Sequence, residues 1–222
     1  MTIAENIQNI KTHLPENVEL VAVSKFHPLS AIEEAYEAGQ RIFAESRPQE
    51  LAEKIKTLDH DKYPGIRWHF IGHLQTNKLK MVLPYVSLVE SVDSINLLNE
   101  IQKWSEEHSK ITDVLLEVHI AAEESKQGFH EEEITSILFD AAKYTHIRFR
   151  GLMGMATHTT DLDIVDTDFQ RIDTFMAFLK ELFAELNDFN QLSIGMSEDW
   201  PIAIKHGATM VRIGTAIFGE RQ

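Results

Sequence analysis

The stretch Val18–Lys25, VELVAVSK, decides how the chain is read. Five of its first six residues are apolar and three are valine. So short and branched a run predicts a strand buried on both faces. The run stops at Ser24-Lys25, and Pro28 opens a helical pattern. Lys25 therefore falls at the carboxyl end of an inner strand, where α/β folds place their ligands. An amine held against an apolar wall loses solvation for its charged form and becomes a nucleophile toward aldehydes. The plainer alternative is that Lys25 only ends the strand and points at water.

Outward from this strand the same alternation continues. Before it, Ile3, Ile7, Ile10 and Leu14 recur at helical spacing and stop at Pro15. After it, further strands are predicted at Arg41–Glu45, Trp68–Ile71, Val86–Val89, Val114–Ile120, Ile147–Met155, Gln191–Met196 and Thr209–Ile213. Apolar helical stripes separate most of them, such as Leu51, Ile55 and Leu58, or Ile95, Leu98, Ile101 and Trp104. The longest stripe runs from Phe169 to Leu186, and a short helix is predicted around Ile202–Lys205. Eight strands alternate with helices and no linker interrupts them. This predicts one α/β domain over residues 1–222, a (β/α)8 TIM barrel, with an open doubly wound sheet as the rival.

Composition narrows the function. The chain has no cysteine, which excludes disulfides, thiolate catalysis and Cys-based zinc sites. A net charge of -14 argues against binding a nucleic-acid backbone, and any phosphate must be held by a local pocket working against the overall field. No basic-apolar leader and no membrane-length apolar run stand out, so a cytoplasmic protein without a membrane partner is expected. His69, His73, His119 and His158 invite a metal-hydrolase reading, but no carboxylate at ligand spacing accompanies them, so packing or surface histidines are expected and no metal.

In a barrel, chemistry collects on the loops that follow the strands. Those loops carry Lys25, Glu45-Ser46, Gly72-His73, Met153 to Thr157, Gly195-Met196-Ser197 and Arg212 to Thr215. Gly195-Met196-Ser197, followed by Glu198-Asp199, predicts a helix start where N–H groups and a hydroxyl converge. Gly214-Thr215 offers a second set of donors on the next loop, and these two loops commonly bind phosphate in barrels. Arg212, on a terminal inner strand beside them, is expected to aim at a ligand. A lysine amine facing a phosphate cradle suits pyridoxal 5'-phosphate (PLP), which has an aldehyde for the one and a phosphate for the other.

The ordered segments Val21–Lys25 (VAVSK), Trp68–Gly72 (WHFIG), Leu74–Lys78 (LQTNK), Ser125–Gly128 (SKQG), Arg150–Met153 (RGLM), Leu192–Ser197 (LSIGMS) and Val211–Gly219 (VRIGTAIFG) carry a resemblance. Over nearly its whole length the chain resembles the pyridoxal-phosphate homeostasis proteins, relatives of the alanine racemase barrel. The resemblance implies that Lys25 holds PLP as a Schiff base. It implies that Ser197, Gly214 and Thr215, with the Met196 backbone, bind the phosphate, and that Arg212 faces the pyridine nitrogen. A guanidinium there keeps that nitrogen unprotonated and weakens the ring as an electron sink. Lys126 is expected near the mouth of the site. The family usually shows Phe-Gly-Glu-Asn where this chain has Phe43-Ala44-Glu45-Ser46, so Ser46 reaches less far toward the ring hydroxyl. Ala44 matters only if the backbone there needs a positive φ.

Two functions fit: a protein that holds PLP and hands it to apo-enzymes, or a PLP-dependent amino-acid racemase. Alanine racemases add a β domain that supplies a catalytic tyrosine, and only ten residues follow Arg212 here. Tyr36, Tyr63, Tyr85 and Tyr144 fall away from the ligand end, so Lys25 has no partner for two-sided proton exchange. The carrier reading is therefore expected, without catalytic residues; a monomer is expected, since the racemase-type dimer contacts are missing, although the sequence leaves oligomeric state open.

Overall fold

The computed structural model describes residues 1–121 and 127–220. Eight parallel strands, β1 (Glu19–Val23), β2 (Ile42–Glu45), β3 (Arg67–Phe70), β4 (Leu88–Val92), β5 (Thr112–Val118), β6 (Ile147–Gly154), β7 (Gln191–Ser193) and β8 (Met210–Ile213), close in chain order into a barrel. The closing pair is β8 with β1, where Val21 lies opposite Arg212 and Ala22 opposite Ile213. The predicted (β/α)8 barrel is thus the observed fold.

The outer ring contains α1 (Ile3–His13), α2 (Leu29–Glu37), α3 (Pro48–Thr57), α4 (Leu79–Val82), α5 (Ile95–Glu107), α6 (Glu131–Phe139), α7 (Leu162–Leu182), α8 (Trp200–Lys205) and α9 (Thr215–Phe218). Local chemistry sets several helix starts. Thr2 and Glu5 form a capping box before α1, Ser94 and Asp161 cap α5 and α7, and Pro48 occupies the first turn of α3.

Strand alternation divides the core in two. Leu20, Ala22, Phe43, Trp68, Phe70, Val89, Leu116, Leu192 and Val211 face the helices. Val21, Val23, Ile42, Ala44, Leu88, Leu115, Met153 and Met210 form a second cluster inside the barrel. The interior is therefore a plugged apolar floor, and a ligand can only sit above it at one end.

Several boundaries differ from the sequence expectation. The fourth strand lies at Leu88–Val92 rather than at 86–89, the seventh ends at Ser193 rather than at Met196, and the long helix stops at Leu182. The helix expected directly after Gly195-Met196-Ser197 begins only at Trp200, and α9 was not anticipated.

Candidate functional site

Above the apolar floor the inward phase of the strands turns polar. His69 follows Arg67 on β3, Glu90 follows Leu88 on β4, and Glu117 follows Leu115 on β5, each two residues on and so on the same side. Ser193 and Arg212 contribute from β7 and β8. All five are buried. Lys25 and Ser46 follow β1 and β2, whose Val21, Val23, Ile42 and Ala44 face the barrel interior. Val23 pairs with Ala44, so Lys25 and Ser46 each lie two residues beyond one register point.

Arg212 is anchored at the centre of this polar layer. One of its terminal nitrogens donates to both the carbonyl and the hydroxyl of Ser193, each at 2.7 Å, and the other donates to the Gly154 carbonyl at 2.9 Å. Glu90 stands 4.0 Å from the guanidinium, accepts from the Ser193 hydroxyl at 2.6 Å, and lies 2.7 Å from His69 Nδ1. Burial pushes the Glu90 carboxyl up, but His69, Arg212 and Ser193 together outweigh it and hold Glu90 below the ordinary carboxylate value. The network presents a fixed guanidinium whose charge is already matched by a buried carboxylate.

Glu117 behaves in the opposite way. Burial, then the nearby Asp93 carboxylate, raise it to about 7 against the opposing pull of Arg212 and His73. Asp93 itself is 2.7 Å from His73 Nδ1. The barrel mouth thus holds a carboxyl group that titrates near neutrality. His69 is buried and His73 exposed, as packing and surface histidines are expected to be, and each is also paired with a carboxylate from the next strand or its loop.

The loops after β7 and β8 meet. The Ala216 N–H donates to the Ser197 hydroxyl at 3.3 Å, so Ser197 lies beside the Gly214-Thr215 turn. Met196 N–H is bound by the Asp199 carboxylate three residues on, within the turn that precedes α8. Gly195 has φ +91, and a Cβ there would come within 2.6 Å of Ala203 Cβ and 2.9 Å of Trp200 Cα, so this turn requires glycine. At Gly214 a Cβ would meet the Val23 carbonyl at 3.2 Å. The donor turn after β8 therefore lies against the strand that leads into Lys25.

This arrangement fits PLP. Backbone and hydroxyl groups cluster on one side of the mouth, the amine-bearing strand is immediately adjacent, and a buried guanidinium lies on the strand between them. Ala44 sits in the extended backbone of β2, and among the described residues Phe26 and Ser109 are the non-glycine residues with positive φ. Ser125 and Lys126 lie outside the described residues. Sequence reasoning singled out Lys25, Ser46, Ser197 and Arg212 but passed over Glu90 and Glu117. The available signal was a lone acid inside an apolar strand, Glu117 in VLLEV and Glu90 in LVESV.

Comparison with known proteins gives a consistent result. The family model described as alanine racemase, N-terminal domain, matches residues 1–222. The pyridoxal phosphate homeostasis protein of Vibrio alginolyticus is 35% identical over 232 residues, an alignment covering 99% of this chain and 98% of that protein. The structure of PipY from Synechococcus elongatus with PLP bound matches with a TM-score of 0.90 at 34% identity, covering 98% of this chain and 100% of that one. An alanine racemase of Clostridium difficile matches with a TM-score of 0.81 at 15% identity, covering 60% of that chain, which is a likeness of fold alone.

Proposed function

The chain belongs to the alanine racemase N-terminal domain family, and from that premise we propose that it binds PLP covalently through Lys25 and serves PLP homeostasis, releasing the cofactor to apo-enzymes. The observation that carries this reading is the meeting of two loops distant in sequence beside one strand. The Gly214-Thr215 turn lies against Val23, two residues before Lys25, and Ser197 lies beside that turn. PipY, which matches over the full barrel, has been solved with PLP bound.

When bound, PLP supplies an aldehyde that condenses with a primary amine. Lys25 is the amine in our reading. Ser197, Gly214 and Thr215, with the Met196 backbone, hold the phosphate through N–H and hydroxyl donors, and Ser46 follows β2, the strand next to the one that leads into Lys25. Binding an anion at Met196 N–H requires the Asp199 carboxylate to give up that donor. Arg212, held by Ser193 and Gly154, presents a permanent positive charge toward the ring nitrogen and so keeps that nitrogen unprotonated.

The tyrosines favour a carrier over a racemase. Tyr63, Tyr85 and Tyr144 precede β3, β4 and β6, at the amino ends of the strands, and the Tyr36 hydroxyl donates to the Pro64 carbonyl at that same end. A tyrosine on the far side of a substrate from Lys25 is thus absent from the described mouth.

Two measurements test the reading. Borohydride reduction of the PLP-loaded protein should leave a pyridoxyl label on the Lys25 peptide, and Lys25→Ala should lose both the label and the visible Schiff-base band. Incubation with L- and D-amino acids should give no Lys25-dependent racemisation. A label mapped to another lysine would overturn the site, and sustained turnover would overturn the carrier assignment.

A further inference from the structure

We propose that Glu50 and Lys54 of α3 are positioning residues that set the backbone on both sides of Lys25 and so fix the direction from which its side chain enters the barrel mouth. The proposal rests on the reading of Lys25 given above. Lys25 is joined to its neighbours by two peptide units, and the same ion pair grips both. Lys54 Nζ donates to the Ser24 carbonyl at 2.8 Å, which belongs to the peptide unit before Lys25. Glu50 Oε1 accepts from the Phe26 N–H at 2.6 Å, which belongs to the unit after it.

The two gripping groups are themselves fixed. Lys54 is buried, and its ammonium also donates to Glu50 Oε1 and to Glu45 Oε1, each at 2.7 Å. Three oxygens account for the three donors of an ammonium group. Glu45 in turn accepts from the Ser24 hydroxyl at 2.6 Å. Glu50 and Lys54 are one helical turn apart, so the stiffness of α3 holds both ends of the grip at a set spacing.

Two further features show that the segment is held in a conformation it would not choose. Phe26 has φ +67, a left-handed backbone that bulky L-residues rarely adopt, within a turn that the His27 N–H closes by donating to the Ser24 carbonyl at 3.1 Å. The Arg47 guanidinium lies over the Phe26 ring, 4.3 Å from its centroid. In addition, the outward side of β1 and β2 could be sealed by apolar residues, which replace buried ion pairs at little or no loss of stability. A charged cluster at this one place, bonded to the backbone around the reactive lysine, is what positioning requires.

The test compares PLP-loaded wild type with Glu50→Ala and Glu50→Gln. Each is followed by the rate of PLP loss on dilution and by the pH at which the visible Schiff-base band is half lost. Glu50→Ala leaves the Phe26 N–H without its acceptor and should release PLP roughly tenfold faster, with a moved pH midpoint. Glu50→Gln keeps a carbonyl oxygen for that N–H and should stay within about twofold of wild type in release. Release and midpoint unchanged in Glu50→Ala would overturn the proposal, whatever happens to its thermal stability. Should Glu50→Ala fail to fold, Glu50→Asp is read in the same way, since its shorter side chain keeps the charge near Lys54 but falls short of Phe26. A wild-type protein without any Lys25-dependent band would overturn the reading of Lys25 itself, a result visible before any variant is compared.

Discussion

Glu117 illustrates how far a single residue's environment can move its chemistry. Its pKa stands at about 7 in the folded barrel against 4.5 for an ordinary glutamate, chiefly through burial. Between those two values the folded chain binds more protons than the unfolded one, so stability falls as pH rises through that window and then levels off. Glu117→Gln removes the dependence. The apoprotein variant should gain stability over wild type at pH 8, by up to about 3 kcal/mol, with the gain vanishing below about pH 5. Urea unfolding at the two pH values checks this, and an equal offset at both would sink it. At this scale the sequence was partly legible. Lys25 and Arg212 stand at strand ends, where position alone suggests a ligand. Glu90 and Glu117 show in the sequence only as lone acids inside apolar strands, because the partners that shift them, His69, Asp93 and Arg212, come from other strands or their loops. The left-handed Phe26 carried no sequence signal either, since nothing short of the fold shows that Glu50 will accept its N–H.

At the scale of elements, the turn between β7 and α8 carries the sharpest constraint. Gly195→Ala would force a left-handed alanine against Ala203 and Trp200, and should destabilise the protein by about 2–4 kcal/mol. Because Ser197 sits two residues later, the same variant should bind PLP more weakly. Thermal unfolding and a PLP titration measure the two effects, and wild-type values in both would contradict the tight packing of this turn. Element boundaries show where periodicity misleads. The fourth strand was expected at Val86–Val89, ending before Glu90. Inside the barrel Glu90 is satisfied by His69 and Ser193, and the strand continues to Val92. The seventh was expected to run to Met196; it ends at Ser193, with backbone bonds from Ile194 N–H to the Met210 carbonyl and from Arg212 N–H to the Gly195 carbonyl carrying contact with β8 as far as the turn at Gly195. The short helix α9 depends on contact with α1, where the Asn6 amide donates to the Ile217 carbonyl.

The whole molecule sets the electrostatic background against which an anionic cofactor must be captured. The chain carries a net charge of -14, and the Arg212 charge in the mouth is offset by Glu90. Approach of PLP is therefore opposed at long range. Uptake by the apoprotein should speed up by a few-fold when ionic strength rises from about 10 to about 150 mM, as screening shortens the reach of that repulsion. Stopped-flow absorbance would follow it, and a rate that falls with salt would mean that the local cations of the mouth dominate. What the sequence determined by itself was the alternation of eight buried strands with helices, and hence an α/β domain whose strand-end loops are where a ligand is expected. Those follow from periodicity and branched side chains, which are local properties of the chain. What only the tertiary structure decided was closure of β8 onto β1, the meeting of Ser197 with the turn after Gly214, and the pairing of buried charges within the barrel and behind Lys25. Each of these depends on through-space contact between residues far apart in sequence. Desolvation and hydrogen bonding act on that distance and have no signature in the order of residues.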